Sequence, residues 1–147
     1  MAVVLDHVHL IVSDPGAAAT WLADMLDGAI VGHATVLGAP QAYVRFGEGL
    51  VIVRSLREGE TLGQRDGRRL NLDHFGLRID RDLNSFCDRL RAKGVRFLLD
   101  PVAINEATRV AFVEGPDGMA IELTERREWP DLVTLGADAS RTPVTPP

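Results

Sequence analysis

The chain has one cysteine, no apolar run long enough to cross a bilayer and no cluster of basic residues. A lone thiol, Cys87, cannot form an internal disulfide, which fits a protein of the reducing cytoplasm. A membrane-spanning helix needs about 20 mostly apolar residues, and the N-terminus lacks the basic and apolar segments of a signal peptide. We therefore expect a cytoplasmic protein without a membrane span, in which Cys87 is inert core packing.

The charge balance argues against a nucleic-acid partner. The sequence has 16 Lys and Arg against 21 Asp and Glu, which gives a net charge of −5. Nucleic acids bind basic patches, and none is present. The densest charged run, residues 56–69, mixes both signs and contains three glycines. This composition is typical of a solvated loop.

The sequence does contain an internal repeat. The tripeptide Leu-Asp-His occurs twice, and its histidines, His7 and His74, are 67 residues apart. Gly28 and Gly94 are separated by 66 residues, and the turns FGEG and GPDG by 69 residues. Three features that share nearly one period indicate a duplicated module.

Each module is predicted to fold as βαβββ, because a short apolar run, a helical pattern and three further apolar runs follow one another. Module one covers residues 1–56, a linker loop covers 57–69, and module two covers 70–127. Together they form a single domain, 1–127, followed by an irregular tail at 128–147. The predicted fold is α+β: a curved, mixed, eight-stranded sheet around a cleft, with the two helices outside.

Both predicted helices have end signals and one apolar face. Asp14 and Pro15 are typical of an N-cap and a first helical turn. Gly28 and Gly94 are expected to stop the two helices. The apolar residues that recur at helical spacing are Ala18, Trp21, Leu22 and Met25 in the first helix, and Leu83, Phe86, Cys87 and Leu90 in the second.

Strand alternation predicts which side chains of the first strand face the cleft. Val8, Leu10 and Val12 form an apolar face that suits packing against a helix. His7 and His9 lie on the other face, which should therefore be the cleft face.

The same alternation applies to the second module, where His74 and Arg78 should face the cleft and Glu122 should point inward from the last strand. The repeat places His74 at the position equivalent to His7. Two imidazoles and one carboxylate suit a first-row divalent metal and leave coordination sites open for a substrate.

These stretches resemble the vicinal oxygen chelate superfamily, which includes glyoxalase I, methylmalonyl-CoA epimerase, extradiol dioxygenases, fosfomycin-resistance enzymes and bleomycin-binding proteins. The matching pieces are DHVHLIVSD, LDHFGLRI and FVEGPDGMAIELTE, and they span nearly all of residues 3–126. The resemblance implies that His7, His74 and Glu122 are metal ligands. It also implies paired βαβββ modules, a small-molecule substrate and a homodimer.

Two positions bear on the reaction that the resemblance implies. Lyases and isomerases of the superfamily have a fourth ligand on the last strand of module one, where alignment of the repeats places Val53. Valine cannot bind a metal, and three ligands resemble the extradiol dioxygenases, whose site holds Fe(II). The active-site tyrosine of those dioxygenases corresponds to Phe112 here, and the repeat places Tyr43 at the pseudo-equivalent position.

The resemblance therefore implies a metal-dependent enzyme acting on a small molecule with two adjacent oxygens, most like a catechol ring-cleaving dioxygenase. His9 and Tyr43 are the candidate proton carriers; Phe112, Val53 and Arg78 are the candidate substrate contacts. Iron(II) is the expected cofactor, with Mn, Ni, Zn, Co or Mg as alternatives. Two other functions stay open: a lyase, isomerase or fosfomycin-type transferase of the same superfamily, and a metal-free small-molecule-binding protein of the bleomycin-resistance type.

Overall fold

The computed structural model describes residues 5–63 and 72–126. The first half contains β1 (His7–Ile11), α1 (Pro15–Leu26), β2 (Ala29–Val36), β3 (Ala39–Phe46) and β4 (Gly49–Arg54). The second half contains β5 (Phe75–Arg78), α2 (Leu83–Ala92), β6 (Phe97–Ala103), β7 (Thr108–Glu114), a 3₁₀ turn (Pro116–Gly118) and β8 (Ala120–Arg126). The predicted tandem βαβββ order and the α+β fold are confirmed.

Some expectations fall on parts of the chain that are not described. The predicted tail, 128–147, and the later part of the loop at 57–69 lie outside the described residues. Within residues 5–63 and 72–126, no helix has the length and apolar character needed to cross a membrane.

Hydrogen bonding divides the described strands into two sheets of four, in the orders β1-β4-β3-β2 and β5-β8-β7-β6. In each sheet the first strand of the module runs parallel to the last one, and the other neighbours are antiparallel. This pairing places the strand that follows each Leu-Asp-His next to the final strand of its own module.

The described residues form two compact units. The first unit contains residues 5–63 with 115–118, and the second contains 72–114 with 119–126. The Gly-Pro-Asp-Gly turn thus belongs to the first unit, where Asp117 Oδ2 accepts a hydrogen bond from the Ser13 backbone N–H at 2.8 Å.

Helix α1 begins as predicted. Asp14 Oδ1 accepts a hydrogen bond from the Ala17 N–H at 3.0 Å, and Pro15 occupies the first turn, where its missing N–H is not needed. Leu22 is fully buried on the predicted face, and Ala18 is 2% exposed.

The end of α1 differs from the prediction, because Asp27 and not Gly28 adopts the left-handed conformation that closes the helix (φ 61°). Gly28 is needed for a different reason. A Cβ atom at this position would lie 2.6 Å from Val44 Cγ1 and 2.8 Å from Phe46 Cζ. The glycine therefore permits a close approach of the chain to β3, which no helix-end rule would have revealed.

Helix α2 ends as predicted, and it begins at an aspartate cap that the sequence analysis did not name. Asp82 Oδ2 accepts hydrogen bonds from the Ser85 backbone N–H (2.8 Å) and hydroxyl (2.7 Å), and these bonds lower the pKa of Asp82. A second carboxylate, Glu125 on β8, accepts from the Leu83 N–H at 3.0 Å. Gly94, with φ of 79°, follows the helix in the left-handed region that glycine tolerates.

Strand alternation sorts the side chains of the first unit onto two faces as predicted. The face packed against α1 is apolar and buried: Ala42, Val44, Val51 and Val53. The opposite face carries a polar set from three strands: His7, His9, Gln41, Tyr43 and Arg54. The fold thus brings the predicted proton carriers His9 and Tyr43 to the same sheet face as His7.

Candidate functional site

Four polar side chains form a hydrogen-bonded chain in the second unit. The parallel pairing of β5 and β8 brings His74, which directly precedes β5, to Glu122. His74 Nδ1 lies 2.7 Å from Asp73 Oδ2, and His74 Nε2 lies 2.9 Å from Glu122 Oε2. The Thr124 hydroxyl donates a hydrogen bond to Glu122 Oε1 at 3.0 Å. The structure thus brings together two of the predicted ligands, His74 and Glu122.

The His74 ring has a carboxylate oxygen at each nitrogen, which creates a donor shortage. A neutral imidazole carries one N–H, and an ionised carboxylate only accepts hydrogen bonds. When Nδ1 donates to Asp73, the Nε2 lone pair points at an oxygen of Glu122. A cation bound by Nε2 and Glu122 removes this conflict, as does a proton. Imidazole nitrogen and carboxylate oxygen are both ligands of first-row divalent metals, so the donor set fits a metal ion.

A phenylalanine and a glycine flank Glu122 on the two neighbouring strands. Phe112 lies directly across from Glu122 on β7, is 3% exposed, and meets the His74 ring edge-on with 4.9 Å between centroids. On β5, the strand on the other side of β8, Gly76 lies opposite Glu122, and a Cβ atom added there would lie 3.4 Å from Glu122 Oε2. Arg78 is exposed and lies opposite Thr124 on the same face. The predicted substrate contacts Phe112 and Arg78 therefore share a face with His74 and Glu122.

The first unit repeats the Asp-His contact. His7 Nδ1 lies 2.7 Å from Asp6 Oδ2, the same atoms and distance as in the second unit. The His7 and His9 rings lie on one face of β1, with 5.9 Å between centroids and an interplanar angle of 70°. Loss of surrounding water, followed by the positive charges of Arg54, His7 and Arg57, lowers the pKa of His9.

Tyr43 is held by a neighbour on its own strand. The Gln41 Nε2 amide donates a hydrogen bond to the Tyr43 hydroxyl at 2.5 Å, and Gln41 is 5% exposed. The hydroxyl proton of Tyr43 stays available for donation because its oxygen is the acceptor in this bond. Gln41 Oε1 is a buried acceptor without a hydrogen-bond donor among the residues that the structure describes.

Arg54 ends the polar face of the first unit and forms a two-point ion pair. Its guanidinium donates to the two carboxylate oxygens of Glu60 at 2.6 and 3.1 Å, and the Arg57 backbone N–H adds a bond at 2.9 Å. The Arg54 and Arg57 hydrogen bonds lower the pKa of Glu60 to about 2. This ion pair connects the residues that follow β4 to the end of that strand. Arg54 is also the charged residue with the largest effect on the pKa of His9.

The structure corrects the alignment that singled out Val53. Gly76 lies opposite Glu122 in the second unit, and the equivalent pairing in the first unit is His9 with Ile52. The residue equivalent to Glu122 is therefore Ile52, one position earlier. Val53 is fully buried on the face that packs against α1, so it does not share a face with His9. Isoleucine, like valine, cannot bind a metal.

No complete ligand set lies within one unit. Taken one unit at a time, the described residues contain no group of three or more His, Cys, Asp or Glu side chains arranged to hold a metal ion. Cys87 takes no part: it is fully buried on α2, and burial raises the pKa of its thiol to about 11. The cysteine is therefore a packing residue, as predicted.

Sequence reasoning missed several residues that contact the predicted ones. Asp6 and Asp73 were visible in both copies of Leu-Asp-His, and the general rule that ligating histidines donate their second nitrogen to a carboxylate would have identified them. Thr124 lies two residues after Glu122, the spacing that places both on one strand face. Nothing in the sequence pattern signals the contacts of Gln41 or Glu60.

Comparison with known proteins agrees with this architecture. Residues 4–123 match the model of the Glyoxalase/Bleomycin resistance protein/Dioxygenase superfamily. A probable lactoylglutathione lyase of Synechocystis is 42% identical over 53 residues, which are 35% of this chain and 40% of that protein. The chain thus spans less than half the length of this curated relative.

Solved structures share the fold at low sequence identity. A glyoxylase/bleomycin resistance protein/dioxygenase domain from Frankia has a TM-score of 0.71 at 22% identity, over 87% of this chain and 95% of that one. A glyoxalase family protein from Bacillus cereus has a TM-score of 0.73 at 16% identity, over 86% of this chain and 95% of that one. Together with the match across residues 4–123, this shows that the chain belongs to the Glyoxalase/Bleomycin resistance protein/Dioxygenase superfamily.

Proposed function

We propose that the protein is a metal-dependent enzyme that acts on a small molecule with two adjacent oxygens, most like a ring-cleaving dioxygenase. His7, His74 and Glu122 are its ligands, and Fe(II) is the metal they would hold. A 2-His-1-carboxylate set with open positions is typical of non-haem iron oxygenases.

The observation that carries this proposal is the contact between His74 Nε2 and Glu122 Oε2 at 2.9 Å. Because Asp73 occupies the other ring nitrogen, the neutral pair lacks a donor, and either a bound cation or a second ring proton supplies it. Thr124 supports the same interpretation, since its hydroxyl satisfies the second Glu122 oxygen and leaves Oε2 for the ligand role. The Glu122 side chain is 21% exposed, and a part-buried carboxylate that served only packing would not need this arrangement.

Each remaining residue has a role that follows from its position. A metal held by His7, His74 and Glu122 would supply a Lewis acid that stabilises negative charge developing on the substrate oxygens. His9, beside His7, would accept a proton from the substrate, and Tyr43 would donate one from the hydroxyl that Gln41 fixes. Phe112 would supply an apolar wall, and Arg78 would attract an anionic group of the substrate.

A lyase or isomerase is the second candidate, because the Synechocystis relative is a probable lactoylglutathione lyase. The residue at the fourth ligand position of the first unit argues against a lyase or isomerase. The superfamily resemblance implies a fourth ligand in lyases, and the position equivalent to Glu122 is Ile52. Thiol transfer of the fosfomycin type needs three ligands and stays an alternative, as does metal-free binding of the bleomycin-resistance type.

The first experiment measures bound metal. Protein purified without oxygen is supplied separately with Fe(II), Mn(II), Ni(II) and Zn(II), and metal is counted per chain in the wild type and in His7→Ala, His74→Ala and Glu122→Ala. His33→Ala is the matched control, because His33 is an exposed histidine on β2. We expect one iron per chain, lost in the three ligand variants and retained in the control. Absence of every metal from the wild type would overturn the proposal.

The second experiment separates the reactions. The iron-loaded protein is tested for oxygen uptake with substituted catechols, and each metal form is tested with the hemithioacetal of methylglyoxal and glutathione. Oxygen uptake that accompanies formation of a ring-cleavage product, with no product under argon, supports the dioxygenase. Isomerisation of the hemithioacetal by the Ni(II) or Zn(II) form, without oxygen uptake by the iron form on any catechol, would move the assignment to the lyase. Homodimerisation and a cytoplasmic location stay predictions, which size-exclusion light scattering and cell fractionation would test.

A further inference from the structure

Both copies of Leu-Asp-His place an aspartate against the histidine that follows it. Asp6 Oδ2 lies 2.7 Å from His7 Nδ1, and Asp73 Oδ2 lies 2.7 Å from His74 Nδ1. The two pairs lie in different units and differ in exposure: the Asp6 side chain is 86% exposed and that of Asp73 51%. The same atoms meet at the same distance in two environments, which points to a shared role.

The contact is possible because both aspartates precede their strands. β1 begins at His7 and β5 begins at Phe75, so neither Asp6 nor Asp73 obeys the strand alternation that would send its side chain to the opposite face. The carboxylate is thus free to fold back onto the neighbouring ring. Sequence adjacency alone does not produce the contact, since side chains of consecutive strand residues point apart.

We infer that Asp6 and Asp73 are positioning residues, which keep the proton of His7 and His74 on Nδ1 and leave Nε2 as the metal-binding nitrogen. An ionised carboxylate can only accept, so Nδ1 must be the donor in each pair. In a neutral His74 ring, Nε2 is then unprotonated and faces Glu122 Oε2, where the proposed metal would take the place of a second ring proton. Carboxylate partners of ligating histidines fix the tautomer and raise ligand basicity. The inference rests on the proposed function for its metal but not for its tautomer.

The test uses Asp6→Asn and Asp73→Asn, which keep the side-chain shape but can donate as well as accept, together with Asp6→Leu and Asp73→Leu, which remove the acceptor altogether. Asp80→Asn is the matched control, because Asp80 is an exposed aspartate that forms an ion pair with Arg81 at 3.5 Å and, among the described residues, contacts no histidine. The first readout is the tautomer of each ring, measured by long-range ¹H–¹⁵N NMR spectra of the metal-free full chain at neutral pH. The second is the dissociation constant of Zn(II), measured by competition with a chelator.

We expect the wild-type rings to carry the proton on Nδ1 and each variant to shift it towards Nε2 at its own histidine only. His7 is the cleaner probe, since Glu122 competes for the proton at Nε2 of His74. Zn(II) binding should weaken by about 10- to 100-fold in each variant and stay unchanged in Asp80→Asn.

The outcomes separate the positioning role of Asp6 and Asp73 from the proposed metal-dependent function. Wild-type rings protonated on Nε2, or a tautomer that responds to neither substitution of the aspartate, would overturn the inference whatever the metal does. A shifted tautomer with unchanged Zn(II) affinity would also overturn it, because the aspartates would then not act on the ligand. A shifted tautomer in a protein that binds no metal would support the positioning of the rings and overturn the proposed function instead.

Discussion

Gly28 gives the sharpest test of how this chain folds, because the structure assigns it a packing role where sequence rules assign it a helix-end role. Replacement by alanine adds one methyl group. That methyl would lie 2.6 Å from Val44 Cγ1 and 2.8 Å from Phe46 Cζ, both closer than real Cβ contacts. Val44 is fully buried beneath α1 and cannot move away without disturbing the core.

The size of the effect follows from overpacking. Forcing an additional methyl group into a packed core costs about 1–3 kcal/mol, and two contacts below the normal limit place Gly28→Ala in the upper half of that range. For a chain of this length each kcal/mol lowers the melting temperature by roughly 2–4 °C. We therefore expect a fall of about 5–10 °C, measured by circular dichroism, with a parallel loss in the denaturant midpoint.

Gly16→Ala is the matched control, since Gly16 lies in the first turn of α1 and a Cβ there has only an ordinary contact, 3.4 Å from Asp14 Oδ1. Alanine favours the helix by up to about 1 kcal/mol over glycine, so the same chemical change should raise stability there. A Val44→Ala background should reduce the cost of Gly28→Ala by at least about 0.5 kcal/mol. Equal effects at Gly16 and Gly28, or no coupling to Val44, would refute the packing argument.

Three further predictions concern the polar residues. Tyr43→Phe should lower turnover by about 10²- to 10⁴-fold, the usual contribution of a general acid, with metal content unchanged; a fall in metal content instead would contradict the proton-donor role. The ion pair with Arg54 depresses the pKa of Glu60 from 4.5 to about 2, so its stabilisation is present above pH 4.5 and lost as the pH falls to about 2; denaturant titrations of Glu60→Gln and wild type should converge over that interval, and a constant difference would disprove the linkage. Thr124→Val removes the hydroxyl donor to Glu122 and should weaken Zn(II) binding by about 10- to 100-fold, whereas unchanged affinity would show that the hydroxyl does not position the carboxylate.

The element order could be predicted from the sequence because local signals agreed with each other. The cap at Asp14, the apolar faces of both helices and the strand alternation around His7 each depend on residues close in sequence. The contact between His74 and Glu122 followed from the repeat, since equivalent strands pair in the same way. The register of β4 could not be predicted from the repeat, because the turn between β3 and β4 and the turn between β7 and β8 differ in length. That difference moved the equivalent of Glu122 from Val53 to Ile52.

The register correction can be tested with one substitution made at two adjacent positions. Ile52→Glu puts a carboxylate on the face that carries His9 and Tyr43, whereas Val53→Glu puts it between the sheet and α1. An unpaired charge in a packed core costs several kcal/mol, so Val53→Glu should fail to fold cooperatively. Ile52→Glu should also lose stability, since Ile52 is 7% exposed, but it should fold because the carboxylate would face His9 on the neighbouring strand. Ni(II) or Zn(II) should raise its melting temperature more than that of the wild type, because a carboxylate would then occupy the position that lyases of the superfamily use. If instead Val53→Glu folds and gains stability from metal while Ile52→Glu does not, β4 has the register that the sequence alignment suggested.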